Sequence, residues 1–203
     1  MTDITPYDFI PADVAPAEPA RPRLLLLGTA LASVAVAMGF MALIGQYVAT
    51  RAGVIATGER WLPEGVTIPL TQPNFMGLTL AFSVVTIWWS VSAVRNDDQP
   101  NAFIAFMISL AFAFAFLAQT AYLLTIMEIE ILATDRAVLF FAIIGLHIVL
   151  TLVAMGFAII MMLRTLGGDY TARDYEGVLS SAFFWTTIVF LYGVLWYAIY
   201  ITK

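Results

Sequence analysis

Residues 137–163 read AVLFFAIIGLHIVLTLVAMGFAIIMML, an apolar run without a single charged side chain. An α-helix rises about 1.5 Å per residue, and roughly 20 apolar residues cross the hydrocarbon layer of a membrane, so this run is long enough to span one. It contains His147, the only histidine of the chain. The run therefore predicts a transmembrane helix with one polar aromatic side chain near its middle.

The composition extends this interpretation to the whole chain. Hydrophobic residues make up 62% of the 203 residues and charged residues 11%, against about 45–50% and about 25% in soluble domains. The long runs are apolar on all sides, and none alternates as the strands of a membrane barrel do. We predict an all-α, polytopic membrane bundle. The net charge of −5 and the lack of a basic cluster argue against nucleic-acid binding.

Five transmembrane helices are predicted, at about 24–50, 69–94, 102–127, 137–163 and 178–201. Residues 1–23 form an acidic, proline-rich tail that we do not expect to fold alone. Residues 24–203 are expected to form one transmembrane domain. The first helix is rich in glycine and alanine, which let helix backbones approach closely in lipid. It should therefore have close neighbours.

An odd number of spans places the two chain ends on opposite sides of the membrane. A cytoplasmic N-terminus puts five basic residues inside, namely Arg21, Arg23, Arg95, Arg164 and Arg173. It leaves four outside, namely Arg51, Arg60, Arg136 and Lys203. Because cytoplasmic loops carry the excess of basic residues, the N-terminus is predicted to be cytoplasmic.

The supply of metal ligands limits the possible chemistry. Haem and copper centres need several ligands, and this chain has one histidine and no cysteine. No carboxylate lies inside a predicted span, so nothing there can orient His147 for a nucleophilic triad. We predict no catalytic, cofactor-binding or metal-binding residue in this chain.

Polar side chains within the spans are candidates for contacts between helices or with lipid. His147 can bond a neighbouring helix or a lipid phosphate, or respond to pH; a structural hydrogen bond is the preferred interpretation. The other candidates are Gln119, Tyr122, Asn74, Trp88 and Trp185, with Gln46 as a further polar group. Bonds between helices worth about 0.6 kcal/mol each explain the amides and the phenol. For the tryptophans, anchoring at the interface is preferred over lining a lipid or quinone pocket.

Acidic residues follow the third predicted helix, at Glu128, Glu130 and Asp135. They can gather protons or a cation near a membrane surface. Short acidic runs are more often solvated turns, and we prefer that interpretation.

Several phrases of the sequence match a known family in the same order. Residues 145–149, GLHIV, resemble a GLHV/I phrase, residues 61–65, WLPEG, a W-P-P-x-G loop, and residues 116–119, FLAQ, an F-x-x-x-Q phrase. Asn74 with the helix that runs to Trp88, and Gly177 with the aromatic run after it, also match. On these phrases the chain resembles subunit III of the haem-copper respiratory oxidases, in their short five-helix bacterial form.

Ionisable residues of that family are replaced here by uncharged ones. Val36, Tyr122 and Leu179 stand in the places of glutamates, Ile144 and Thr186 in those of histidines, and Val189 in that of an aspartate. Ionisable groups inside a membrane cost several kcal/mol and are usually functional where they occur. A chain without them cannot relay protons through its own carboxylates.

The resemblance implies a non-catalytic subunit of a cytochrome c or quinol oxidase in a bacterial cytoplasmic membrane. Such a subunit packs on the catalytic subunit I, with subunit II beside it. It supports oxygen reduction and proton pumping, while haem and copper belong to these partner subunits. It also holds phospholipid in a cleft between its first two helices and the other three. The acidic tail is a candidate bridge to another respiratory complex.

Two other function classes stay open at this point. A small membrane transporter or channel would show repeated helices with glycine or proline breaks, or charges near the midplane. A membrane enzyme would need polar residues that converge on one place. Neither pattern is evident in the sequence.

Overall fold

The structure, a computed structural model, describes residues 23–61, 69–127 and 135–202. These ranges form α1 (Leu24–Ala56), α2 (Thr71–Arg95), α3 (Gln99–Ile126), α4 (Asp135–Leu166) and α5 (Glu176–Leu195), which continues as a π-helix (Trp196–Ile201). Five helices of the described ranges are long and apolar enough to cross a membrane, and no strand occurs there. The prediction of an all-α bundle of five transmembrane helices is confirmed.

Some sequence predictions concern residues outside the described ranges. These are the acidic tail over residues 1–22, the WLPEG phrase beyond Trp61, and the acidic residues Glu128 and Glu130. Asp135 begins α4.

The helix ends have local causes. α1 continues past Arg51, because one charged side chain does not break a helix, and it ends shortly before Gly58, which has a φ of +80°. α3 begins at Gln99, because the carboxylate of Asp98 accepts the backbone N–H of Asn101 at 3.2 Å and caps the helix.

The helices alternate in direction, which gives the bundle two end faces. We call amino-end face the one formed by the start of α1, the α2–α3 turn and the α4–α5 loop. The carboxy-end face holds the end of α1, the starts of α2 and α4, the end of α3 and the π-helix. Hydrogen bonds join the parts of each face, as described below.

α5 is the central helix of the bundle. It packs against α1, α2 and α4, while α2 and α3 pack most extensively against each other and α3 also contacts α4. α1 contacts α4 and α5 through a single stripe of buried residues, Thr29, Ser33, Phe40, Ile44 and Tyr47. Much of the rest of α1 is exposed apolar surface, which in a membrane faces lipid or another subunit.

Candidate functional site

His147 of α4 lies where four helices meet. Its imidazole is buried, and its Nε2 lies 3.1 Å from the backbone carbonyl oxygen of Ile188 in α5. A carbonyl oxygen only accepts hydrogen bonds, so Nε2 must carry the proton. The side chain therefore ties α4 to α5 in the interior of the bundle.

Three aromatic rings surround this imidazole. The ring centroids of Phe40, Phe116 and Tyr192 lie 6.0, 5.5 and 5.6 Å from that of His147. They come from α1, α3 and α5, and Phe116 and Tyr192 also meet edge to face at 5.3 Å. The four rings thus pack together mainly edge to face, which is a favourable arrangement for aromatic side chains.

Two tryptophans join α2 and α5. The buried indole of Trp185 donates its Nε1–H to the Ser83 hydroxyl oxygen at 2.9 Å. A second bond has its donor on α2 and its acceptor on α5: the indole N–H of Trp88 donates to the hydroxyl oxygen of Thr186 at 3.0 Å. Trp185 is therefore an interior residue, whereas Trp88 is partly exposed.

Two further bonds join these helices nearer the carboxy-end face. The hydroxyl of Tyr192 donates to the backbone carbonyl of Pro73 at 2.7 Å. The indole of Trp196 donates to Asn74 Oδ1 at 2.8 Å. Four hydrogen bonds thus run along the seam between α2 and the last helical segment.

The remaining predicted residues lie apart from this seam, and Gln46 of α1 donates only to the hydroxyl oxygen of Thr50 in the same helix, at 3.2 Å. Gln119 of α3 donates from Nε2 to the hydroxyl oxygen of Thr79 in α2 at 3.1 Å, and its Oε1 is buried without a partner among the described residues. Tyr122 is 58% exposed and directs its side chain to the outside of the bundle.

The amino-end face is held by bonds to the α4–α5 loop. Asp97 accepts the backbone N–H of Ala172 at 2.6 Å, and Gln99 donates to the carbonyl of Tyr170 at 2.7 Å. The Tyr170 hydroxyl donates to the Met161 sulfur at 3.0 Å. Burial raises the pKa of Tyr170, although the positive charge of Arg164 over its ring acts in the opposite direction.

On the same face, Glu176 connects the first and the last helix. Its carboxylate accepts the backbone N–H of Leu26 at 2.8 Å. The first N–H groups of a helix have no partner within the helix, so this acid caps α1 from the start of α5.

Sequence patterns did not indicate the partners of these residues. The hydroxyls of Ser83 and Thr186 give some signal, because a hydroxyl in an apolar span usually has a bonding role. The carbonyls of Ile188 and Pro73 give none, because every residue has one. The role of Glu176 as a cap for a helix so distant in the sequence is equally hidden.

The described contacts of this arrangement are hydrogen bonds and ring contacts between helices. Within the described ranges, no group of three or more His, Cys, Asp or Glu side chains is placed to hold a metal ion. The described carboxylates stand at or beyond helix ends, so none lies beside His147. What the network does is hold α2, α4 and α5 in one arrangement.

Comparison with known proteins adds one match. The sequence model of the family described as cytochrome c oxidase subunit III matches residues 20–203. The match includes all five helices and the residues of the network. A search among curated proteins finds no match for this chain.

Proposed function

This chain belongs to the cytochrome c oxidase subunit III family, and from that premise we propose that it is a non-catalytic subunit of a haem-copper terminal oxidase. It covers and stabilises the catalytic subunit I, with subunit II as a further neighbour. Haem and copper reside in those partners, and oxygen reduction takes place there.

The family match over all five helices is the observation that carries this proposal. The form of the bundle supports it. Its interior polar groups largely bond to one another across helices, as a supporting subunit requires. α1 leaves large apolar side chains exposed, among them Leu31 at 64% and Met38 at 69%. Such a surface suits a second membrane subunit or lipid.

Support of proton pumping is proposed to be indirect. Val36, Leu179 and Val189 stand where the family has acids, and all three are half-buried apolar side chains packed against the core. Thr186 accepts a hydrogen bond from Trp88 instead of offering an imidazole. The chain therefore contributes to pumping by keeping subunit I in its active form, and the protons move through other subunits.

The remaining parts of the proposal concern its surroundings. The chain resides in a bacterial cytoplasmic membrane with a cytoplasmic N-terminus, binds phospholipid, and reaches another respiratory complex through its acidic tail. The excess of arginines on the amino-end face supports this orientation.

Purification from native membranes tests the proposal. A tagged chain is extracted in mild detergent, a haem difference spectrum is recorded, and the accompanying proteins are identified from their peptides. We expect stoichiometric haem together with oxidase subunits I and II. Extraction in a denaturing detergent, which should release the partners, is the control.

Recovery of the chain alone, or as a homo-oligomer without haem, would overturn the proposal. If the oxidase is recovered, proton pumping is compared in membranes with and without this chain. A lower ratio of protons pumped per oxygen reduced, or faster loss of activity during turnover, is the expected result.

A further inference from the structure

Two exposed arginines of the amino-end face have no acidic partner in the described part of the chain. They are Arg95, at the end of α2, and Arg173, in the α4–α5 loop. Neither forms an ion pair or a hydrogen bond with a described carboxylate. We call them the arginine pair. Most described acids of this face are already engaged, because each accepts a hydrogen bond; these are Asp97, Asp98, Asp169 and Glu176.

The two arginines flank one contact between the α2–α3 turn and the α4–α5 loop. Asp97, two residues after Arg95, accepts the backbone N–H of Ala172, the residue before Arg173, at 2.6 Å. This bond holds the two backbone segments together. The arginine pair is therefore one positively charged surface, and it lies at the rim of the bundle where water and headgroups begin.

The guanidinium of Arg95 is held in place without losing its hydrogen-bond donors. It lies over the ring of Tyr175, 5.5 Å from the ring centroid. An arginine over an aromatic ring keeps the N–H groups at its edge available, and these match the two oxygens of a carboxylate. Because the side chain is already positioned, it loses less freedom when a carboxylate binds.

Residues 1–22, outside the described ranges, have the charge that the arginine pair needs. A proline-x-acid motif occurs three times at intervals of five residues, as PYD at 6–8, PAD at 11–13 and PAE at 16–18. Asp3 is a fourth acid, and Arg21 is the only basic side chain of this segment. Proline restricts the chain before it binds, so a proline-rich acidic segment loses less entropy on a docking surface.

The topology places this tail next to the arginine pair. It precedes α1, which starts on the amino-end face. Asp8 is fifteen residues before Arg23, or at most about 50 Å of chain, whereas neighbouring helices pack about 8–10 Å apart. The other undescribed acids, at 64, 128 and 130, adjoin helix ends of the carboxy-end face. The tail is thus the undescribed segment of this chain that can bring carboxylates to the arginine pair.

We propose that residues 1–22 dock on the amino-end face of their own subunit, with carboxylates of the proline-x-acid motifs on Arg95 and Arg173. Asp174 beside Arg173 reduces the positive charge there, so the docking is weak and falls with salt. The inference goes beyond the proposed function. There the tail reaches another respiratory complex, and that complex now has to compete with the tail's own subunit.

A distance between two nitroxide labels tests the proposal. The chain has no cysteine, so labels attach only at introduced cysteines, Ala15→Cys in the tail and Leu166→Cys at the exposed end of α4. The full chain is measured in nanodiscs of phosphatidylcholine, which carries no net charge, at low salt and at about 1 M salt, where the Debye length is about 3 Å. We expect one narrow distance population at low salt and a broad distribution at high salt.

Charge variants identify the groups that hold the tail. An exposed ion pair changes an equilibrium about 1.4- to 5-fold, so Arg95→Gln with Arg173→Gln should lower the ratio of docked to free tail about 2- to 25-fold. Neutralising the three motif acids should do the same without changing any residue of the bundle. Arg60→Gln is the matched control, because Arg60 is an exposed arginine of the opposite face. Circular dichroism verifies that each variant is helical.

A broad distribution in the wild type at low salt would overturn the proposal, and so would a narrow population that the double arginine variant retains. An equal loss in Arg60→Gln would also overturn it, because the effect would then be one of general charge. If the arginine variant does not fold, the variant without motif acids decides: a narrow population that persists there refutes the docking.

A mixture of two singly labelled chains distinguishes the subunit's own tail from that of a neighbour. One chain is labelled at Ala15→Cys and the other at Leu166→Cys. A narrow distance in this mixture would assign the docking to a neighbouring copy and overturn the proposal. None of these measurements depends on co-purified haem, so a failed docking and a failed assignment to the oxidase remain distinguishable.

Discussion

Gly177, in the first turn of α5, leaves the space that the ring of Tyr170 occupies. A Cβ atom at this position would lie 2.6 Å from Cζ of Tyr170 and 2.7 Å from the sulfur of Met161, and closer still to the Tyr170 hydroxyl. Real Cβ atoms essentially never approach other heavy atoms within 3.0 Å. Gly177→Ala therefore has to push Tyr170 out of its buried place.

The steric cost of the substitution is opposed by the higher helix propensity of alanine. If the ring stays, overpacking of the site costs about 1–3 kcal/mol. If the ring is expelled, a similar free energy of burial is lost, about 1.5–3 kcal/mol. Alanine favours a helix over glycine by at most about 1 kcal/mol, and by less in the first turn. We expect Gly177→Ala to lower the free energy of unfolding by about 1–3 kcal/mol, or the Tm by several degrees.

Thermal unfolding in mild detergent measures this effect. Gly156→Ala is the matched control, because a Cβ atom at that position of α4 meets open space and should leave stability unchanged or slightly raised. A second measurement repeats Gly177→Ala in a Tyr170→Ala background, where the cost should largely disappear because the ring is gone. The reasoning is refuted if Gly177→Ala is as stable as Gly156→Ala, or if its cost is the same in both backgrounds.

Three further predictions concern the hydrogen bonds between helices, all measured as Tm in detergent unless stated. His147→Phe keeps a ring but loses the N–H donor, and it should cost about 0.5–1.5 kcal/mol, because the carbonyl on α5 keeps its own helix bond; no change would mean that the bond contributes nothing. Trp185→Phe loses a buried indole N–H and leaves a small cavity, so we expect it to lower the free energy of unfolding by about 1–3 kcal/mol. The control is Trp89→Phe, which should have little effect because Trp89 is 42% exposed. Equal losses of stability in the two variants would contradict this prediction. Glu176→Ala should lower the free energy of unfolding by about 0.5–2 kcal/mol and speed hydrogen exchange at the backbone amide of Leu26. Glu176→Gln keeps an acceptor oxygen and should lie close to wild type in both measurements. Unchanged exchange in the alanine variant would exclude the capping role.

The number and kind of helices could be predicted because lipid demands long apolar helices, and those are visible in composition. The end of α1 was harder to predict. The first charge, at Arg51, indicated the edge of the hydrocarbon, but the helix itself continues to Ala56. The position of the first charged residue indicates where the helix leaves the hydrocarbon layer. It does not indicate where the helix ends.

The candidate site could be predicted only as a set of unusual side chains. A histidine or an amide in an apolar span has to bond to something, and this reasoning selected His147, Gln119, Asn74 and Trp185. It could not give their partners, since those depend on which helix faces which. The bond from Trp185 to Ser83 joins residues 102 positions apart, and nothing local encodes that distance. The lipid-contact role of these residues stays a prediction.

The bond between Glu176 and Leu26 also sets an order of events during synthesis. The two residues are 150 positions apart, and α1 packs mainly on α4 and α5, which leave the ribosome after α2 and α3. At about 5–20 residues per second, the first helix waits roughly 8–30 seconds in the membrane before its docking surface exists. In that interval α2 and α3 can close as a hairpin, while α1 is open to chaperones, insertases or a partner subunit that is already in place.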